Sequence, residues 1–284
     1  MPNSGLIDYH KLQLTNEEFQ RLSALIYKES GIKLPPIKKV MLQSRLQKRL
    51  KHLKINTFKE YISYLFSKDG FDREIIHMLD VVSTNKTDFY REPAHFEFLA
   101  NEVLPNYYSS NVNQTFKVWS AGCSSGEEPY TLAMVLFEFA EKNPKFNFSI
   151  FATDISTRIL QKAVDAVYSE DKVQAIPFPL KKKYMLRSKD RTNPTVKMAP
   201  HVRSKITFDR LNLMDSTYKT KDIFDVIFCR NVLIYFDRET QAAVINKLSQ
   251  RLKPEGYLIL GHSESILNLN VPLVQVRPTV YRKV

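Results

Sequence analysis

An α/β protein, with a mostly parallel, doubly wound sheet behind a small helical domain, is the fold class this sequence predicts. From Phe116 onward, short β-rich runs alternate with helical stretches, the pattern of strands joined by crossover helices. Before about residue 80 the apolar residues recur every three or four positions instead, which is helical spacing. A length of 284 residues with 43% apolar content allows a sizeable core and about two domains, and excludes a disordered chain or a disulfide-stapled minidomain.

The opening MPNSGLIDYHKLQLTNEEF lacks the apolar centre of a secretory signal, and no run approaches the roughly 18 to 20 apolar residues of a membrane span. A cytoplasmic location and no membrane insertion are therefore expected. Thr15-Asn-Glu-Glu18 predicts a capping box opening the first helix. Residues 30 to 59 hold nine Lys or Arg and no Asp or Glu, within a chain of net charge +12. There Leu42, Leu46, Leu50 and Leu53 predict a buried stripe, with Arg45, Lys48, Arg49 and His52 on another face that offers positive charge to an acidic partner. Phe58, Tyr61, Ile62 and Leu65 repeat the helical period. The expected organisation is a helical domain over 1–82, a linker and lid segment over 83–115, and a sheet domain over 116–284 with an insertion at about 186–210.

Within the sheet domain, strands are predicted over 116–121, 148–154, 205–213, 224–231 and 256–262, with a last strand around 279–284; helices are predicted over 130–141, 155–167 and near 238–252. Parallel sheets of this kind bind ligands beyond the carboxyl ends of their strands. The first strand is followed by Ser120-Ala-Gly-Cys-Ser-Ser-Gly126, whose small residues let a ligand approach the backbone but also suit an ordinary tight turn. Glu127 and Glu128 come next and would repel a pyrophosphate while suiting an amino-bearing ligand. Asp154 ends the second strand, where a carboxylate can take both ribose hydroxyls or cap the following helix. Asn212, Arg230 and Asn231 sit past later strands, Tyr235 four residues further on, and Asn85, Thr87 and Arg91 in the segment upstream. No GxGxxG is present, which argues against a nicotinamide carrier. Cys123 and Cys229 lie in no metal-ligand spacing, so reduced thiols and no metal site are expected.

Five motifs, in order, carry a resemblance: STNKTDFYRE, WSAGCSSGEEPYTLA, FATDIS, FDVIFCRNVLIYFD and GYLILGHSES. Together they resemble the chemotaxis receptor glutamate O-methyltransferases of the CheR type, over nearly the whole chain. The resemblance implies a class I S-adenosylmethionine-dependent methyltransferase fold, Rossmann-like with a mostly parallel seven-stranded sheet, a small all-α N-terminal domain and a short antiparallel β insertion. It implies S-adenosylmethionine as methyl donor, S-adenosylhomocysteine as product, and glutamates on the cytoplasmic helices of methyl-accepting chemoreceptors as acceptors, with the enzyme a monomer recruited to receptor arrays. Position by position, the cofactor residues it implies are Asn85, Thr87, Arg91, Gly122, Glu128, Asp154, Asn212, Leu213, Arg230 and Asn231. Arg91 and Tyr235 match positions that orient the substrate carboxylate and the methyl donor, and Arg45, Lys48, Arg49 and His52 would form the docking face. The stretch 187–201 lacks the glycines that shape the insertion's turn in relatives that dock on a receptor tail, which weakens the expectation of tail docking.

A glutamate side chain ionises near pH 4.3, so at neutral pH the acceptor is already a nucleophile and no general base is required. Catalysis then rests on holding oxygen, methyl carbon and sulfur in line. Three rival readings stand beside this one: a methyltransferase of the same fold acting on RNA, which the basic charge suits; a non-catalytic module that kept the fold; and a nicotinamide oxidoreductase. No aromatic-and-basic nucleic-acid module is present, so no nucleic-acid partner is expected.

Overall fold

The computed structural model describes residues 8–111 and 113–284. The reading of the amino terminus as lacking a secretory signal rests partly on residues 1–7, which lie outside the described residues. The chain divides into two compact units, Met1–Thr84 and Asn85–Val284.

The first unit is helical: α1 (Asn16–Ser30), α2 (Lys39–Leu53), α3 (Phe58–Leu65) and α4 (Lys68–Val82). The capping box is present, with the Glu18 N–H donating to Thr15 Oγ1 at 3.2 Å and the Thr15 N–H donating to the Glu18 carboxylate at 2.8 Å. Such a cap is worth about 0.5–2 kcal/mol. Leu42, Leu46 and Leu50 are fully buried and Leu53 half-buried, and both α2 and α3 pack on α4.

The expected basic face of α2 needs correction. Lys48 and His52 are exposed. Arg49 instead turns inward and donates from Nε and Nη2 to both oxygens of Glu74, at 2.8 and 2.6 Å. Glu74 is only 1% exposed and also accepts from Tyr61 Oη at 3.0 Å. Arg45 donates to the carbonyls of Val82 and Ser83, which end α4. The reason is angular: seven residues make almost two turns at 3.6 residues per turn, so Arg49 shares the face of Leu42, whereas Lys48 points away from it.

Among the described residues the second unit holds ten strands: β1 (Thr115–Ala121), β2 (Asn147–Asp154), β3 (Val167–Ser169), β4 (Met185–Arg187), β5 (Thr195–Met198), β6 (Ile206–Arg210), β7 (Phe224–Cys229), β8 (Leu252–Leu260), β9 (Leu273–Arg277) and β10 (Val280–Lys283). Its helices are α5 (Ala94–Phe98), α6 (Leu104–Ser110), α7 (Glu127–Lys142), α8 (Thr157–Asp165), α9 (Phe178–Tyr184), α10 (Pro200–Arg203) and α11 (Arg238–Ser249). Seven strands form one sheet in the order β6-β2-β1-β7-β8-β10-β9, parallel except at β10, which runs antiparallel to both neighbours. The chain leaves β1 toward β2 and later returns to β1's other side with β7. Sheets of this topology bind ligands beyond the carboxyl ends of the strands at that switch point, here β1 and β7.

Two expected boundaries move. The three-stranded antiparallel sheet has the order β3-β5-β4, so the insertion spans 167–198 rather than 186–210, and β6 joins the main sheet beside β2, pairing Ile206 with Ile150. The segment 94–110, expected within a linker, is helical, and its Phe96, Phe98, Leu99, Val103 and Leu104 are buried in the core of the sheet. Between α5 and α6 a π turn over Leu99–Val103 lets the Leu104 N–H reach the Leu99 carbonyl, so Pro105, which has no N–H, falls in the first turn of α6. Cys123 and Cys229 are free and buried. No helix among the described residues is long and apolar enough to cross a membrane.

Candidate active site

The site grows from three neighbouring strand ends. At the end of β1, the N–H groups of Gly122 and Cys123 both donate to the Thr153 carbonyl at 2.8 Å, which bends the chain sharply over β2. Gly122 has φ +88°, and a Cβ there would lie 2.4 Å from Val232 Cγ2, so the turn admits no side chain. Asp154, at the tip of β2, accepts the Ser124 N–H at 2.8 Å on one oxygen and the Ser156 N–H at 3.0 Å on the other. It does not cap α8; Ser156 does, through the Ile159 N–H at 3.3 Å. The capping role weighed for Asp154 thus belongs to Ser156.

Above the end of β7 lies a buried chain of charges. Arg230, 6% exposed, stands between two carboxylates, with Nη1 3.3 Å from Glu128 and Nη2 3.2 Å from Glu92. The same Nη2 donates to the Arg91 carbonyl, and the guanidinium lies 5.3 Å above the Phe96 ring. Ser120 Oγ donates to the other oxygen of Glu128 at 2.7 Å. Burial pushes the Glu128 carboxyl up, and Arg230 offsets this only in part. For Glu92 burial acts the same way, but Arg230, the Asn231 amide and the His262 N–H outweigh it and hold the carboxyl below the usual range. His95, packed beside Glu92, is pushed down to about 4, chiefly by burial.

Asn231 occupies the left-handed region at φ +58° and donates from Nδ2 to Glu92 at 3.2 Å. Glu264 fixes this loop by accepting the N–H groups of Asn231 at 2.8 Å, Leu233 at 2.7 Å and Gly261 at 2.7 Å. A Cβ on Gly261 would lie 2.5 Å from Asn231 Nδ2, so the residue that follows β8 can approach this closely only as glycine. Tyr235 is half-buried in a short 3-10 turn, Leu233–Tyr235.

The remaining predicted residues fall into two groups. The Asn85 carbonyl accepts from Ser124 Oγ at 3.0 Å, and Arg91 donates to the Lys86 carbonyl at 2.9 Å, so the segment before α5 is tied to the β1 loop and to Arg230. Asp154 and Asn85 thus meet at Ser124 beside the Gly122 turn, and Glu128, Arg91 and Asn231 meet around Arg230 and Glu92. Asn212 forms a turn past β6, accepting the Met214 N–H at 3.0 Å, while Leu213 is buried and the Thr87 carbonyl receives Lys172 at 3.3 Å. Sequence reasoning missed Glu92, His95 and Glu264. The signal was available for two of them, since Glu92 ends STNKTDFYRE and Glu264 closes GHSE. A separate cavity of about 330 Å³ lies at the other end of the sheet, lined by Tyr107, Phe116, Asp225 and Lys253 among others, and none of the predicted residues lines it.

Comparison with known proteins follows the same division. Residues 17–83 match the CheR methyltransferase all-alpha domain, and residues 85–281 the CheR methyltransferase SAM binding domain. The chain is 40% identical over 276 residues to the chemotaxis protein methyltransferase of Borreliella burgdorferi, covering 96% of each chain. It is 35% identical over 278 residues to chemotaxis protein methyltransferase 1 of Pseudomonas aeruginosa (95% of this chain, 99% of the relative). Identity to the chemotaxis protein methyltransferase of Escherichia coli is 34% over 271 residues (95% and 92%).

Proposed function

We propose, because this chain belongs to the CheR methyltransferase family, that it esterifies glutamate side chains on the cytoplasmic helices of chemoreceptors. It is an S-adenosylmethionine-dependent methyltransferase of the chemotaxis type. The observation that carries the finer reading is completeness: both family domains occur in order, and the match to relatives leaves only a few per cent of the chain uncovered.

The residues at the crevice fit a nucleoside with an amino-acid tail. Asp154 would hold the ribose hydroxyls beside the turn at Gly122, with Asn212 and Leu213 flanking the base. Glu128 would face the ammonium, and Arg230 and Asn231 the far side of the tail. Arg230 Nε is buried with no hydrogen-bond partner among the described residues, a donor suited to an acceptor from a ligand. When bound, S-adenosylmethionine supplies a methyl group made electrophilic by its sulfonium. Arg91 would position the acceptor carboxylate through one charge-assisted contact, and Tyr235 would orient from the opposite side. No side chain is asked to remove a proton, because the acceptor is already ionised.

For recognition, the correction to α2 narrows the docking face. Arg45 and Arg49 are occupied inside the helical unit, leaving exposed Lys48, Lys51 and His52 to steer an acidic helix. The test is incubation with methyl-labelled S-adenosylmethionine and receptor cytoplasmic fragments. Label released as methanol by mild alkali supports the ester, whereas alkali-stable label, or label only in added RNA, rejects it.

A further inference from the structure

Glu92, which holds Arg230 and Asn231 in the polar network, also belongs to a second cluster whose histidines the methyl transfer does not use. Glu92, His95 and His262 each present one ligand atom, all within 4.8 Å of one another. His95 is 3% exposed, and its Nδ1 has no hydrogen-bond partner among the described residues. The other ring nitrogen settles the tautomer. Nε2 lies 2.8 Å from Thr279 Oγ1, and that hydroxyl directs its single proton to the Pro278 carbonyl at 2.7 Å. The imidazole is therefore the donor toward Thr279, and Nδ1 carries a bare lone pair. This lone pair faces the Glu92 carboxylate at 3.5 Å.

Glu92 Oε2 already accepts the His262 N–H at 3.2 Å and lies 3.2 Å from Arg230 Nη2, but on the His95 side two acceptors meet with nothing positive between them. The spacing suits a metal ion better than a water. An ion about 2.0–2.1 Å from each atom would subtend an angle of about 110–120° over 3.5 Å, near tetrahedral, while a water at hydrogen-bond distance from both would be squeezed to about 80°. His262 completes the group. Its Nε2 is 4.0 Å from the same Glu92 oxygen, its ring meets the His95 ring edge-on at 5.1 Å, and its side chain is 60% exposed, free to swing inward. Arg230 opposes a further positive charge, but it already serves two carboxylates, so acids outnumber the guanidinium.

We propose that Glu92, His95 and His262 form a binding site for a divalent ion of the zinc class, with neutral imidazoles and one carboxylate as ligands and a fourth position open to water. Such an ion ties the end of β8 to the segment after Arg91, and through Glu92 to Asn231. Positions 92, 95 and 262 match no compact metal-binding spacing, so the sheet topology alone assembles the set.

The test uses tag-free full-length protein stripped with chelator. Zn²⁺ is titrated by calorimetry, and Co²⁺ is added in parallel to read d–d absorption. Expected are one equivalent bound with a dissociation constant tighter than about 10 μM, visible Co²⁺ bands of a four- or five-coordinate site, and at least a tenfold loss of affinity in His262→Ala. Because His262 is exposed, that variant keeps its fold, which an unchanged melting curve checks; Glu92→Gln is the second variant. The proposal is overturned by the absence of saturable binding in that range, or by variants whose affinity falls less than tenfold.

Discussion

The basic helix α2 and the crevice above the sheet were both marked by polar residues in a pattern, yet they turn out differently. On α2, two of four predicted docking residues are consumed by the unit that carries them: Arg49 neutralises buried Glu74, and Arg45 holds the end of α4. At the crevice, Gly122, Glu128, Asp154, Arg230 and Asn231 come together although they are scattered over 110 positions. A strand end in a parallel sheet has one destination, so a polar residue there is placed by topology. A helix face has 360° to choose from, and a residue one heptad from a buried leucine shares its fate.

The sharpest break of this contrast comes from Arg49→Ala. It leaves Glu74 charged and buried, and should cost about 3–5 kcal/mol in urea unfolding; a loss under about 1 kcal/mol would return Arg49 to the docking face. Asp154→Ala should act chiefly on the ligand. S-adenosylmethionine affinity by calorimetry should fall about 100-fold, equivalent to about 2.7 kcal/mol, while the unpaired N–H groups of Ser124 and Ser156 cost about 1–3 kcal/mol of stability. Gly261→Ala tests whether the crevice depends on a close approach: the added methyl must move Asn231, costing about 1–3 kcal/mol of stability and weakening the cofactor alongside. The smallest effect belongs to Lys48→Glu combined with His52→Glu. Receptor methylation at low salt should fall about three- to tenfold, with stability within about 0.5 kcal/mol of the parent and unchanged cofactor affinity.

The central strands were legible because each is a short apolar run ending in a polar residue, and β1, β2 and β7 begin within one residue of the expected position. Elements that lack such a run were not legible. β9, LVQVR at the sheet edge, is exposed along most of its length, so burial never imprinted a pattern on it. β3 was absorbed into the preceding helix, whose end depends on Ala166 adopting φ +56° without a glycine to announce it. The helix over 94–110 was hidden by Pro105. In the candidate site, polar residues at strand ends were legible as such, whereas Glu264 and His95 act on groups distant in sequence, the backbone of 231–233 and Thr279, which no local pattern reveals.

The π turn at Leu99–Val103 leaves α5 and α6 out of phase by one residue, a rotation of about 100° between the two halves. That offset lets Phe96 and Phe98 in one half and Leu104 in the other all face the sheet. The spare residue works as a washer between two threaded parts. Removing any single position there would restore a regular ladder and swing one aromatic set into solvent, so among relatives this stretch should tolerate exchanges of side chain far more readily than changes of length.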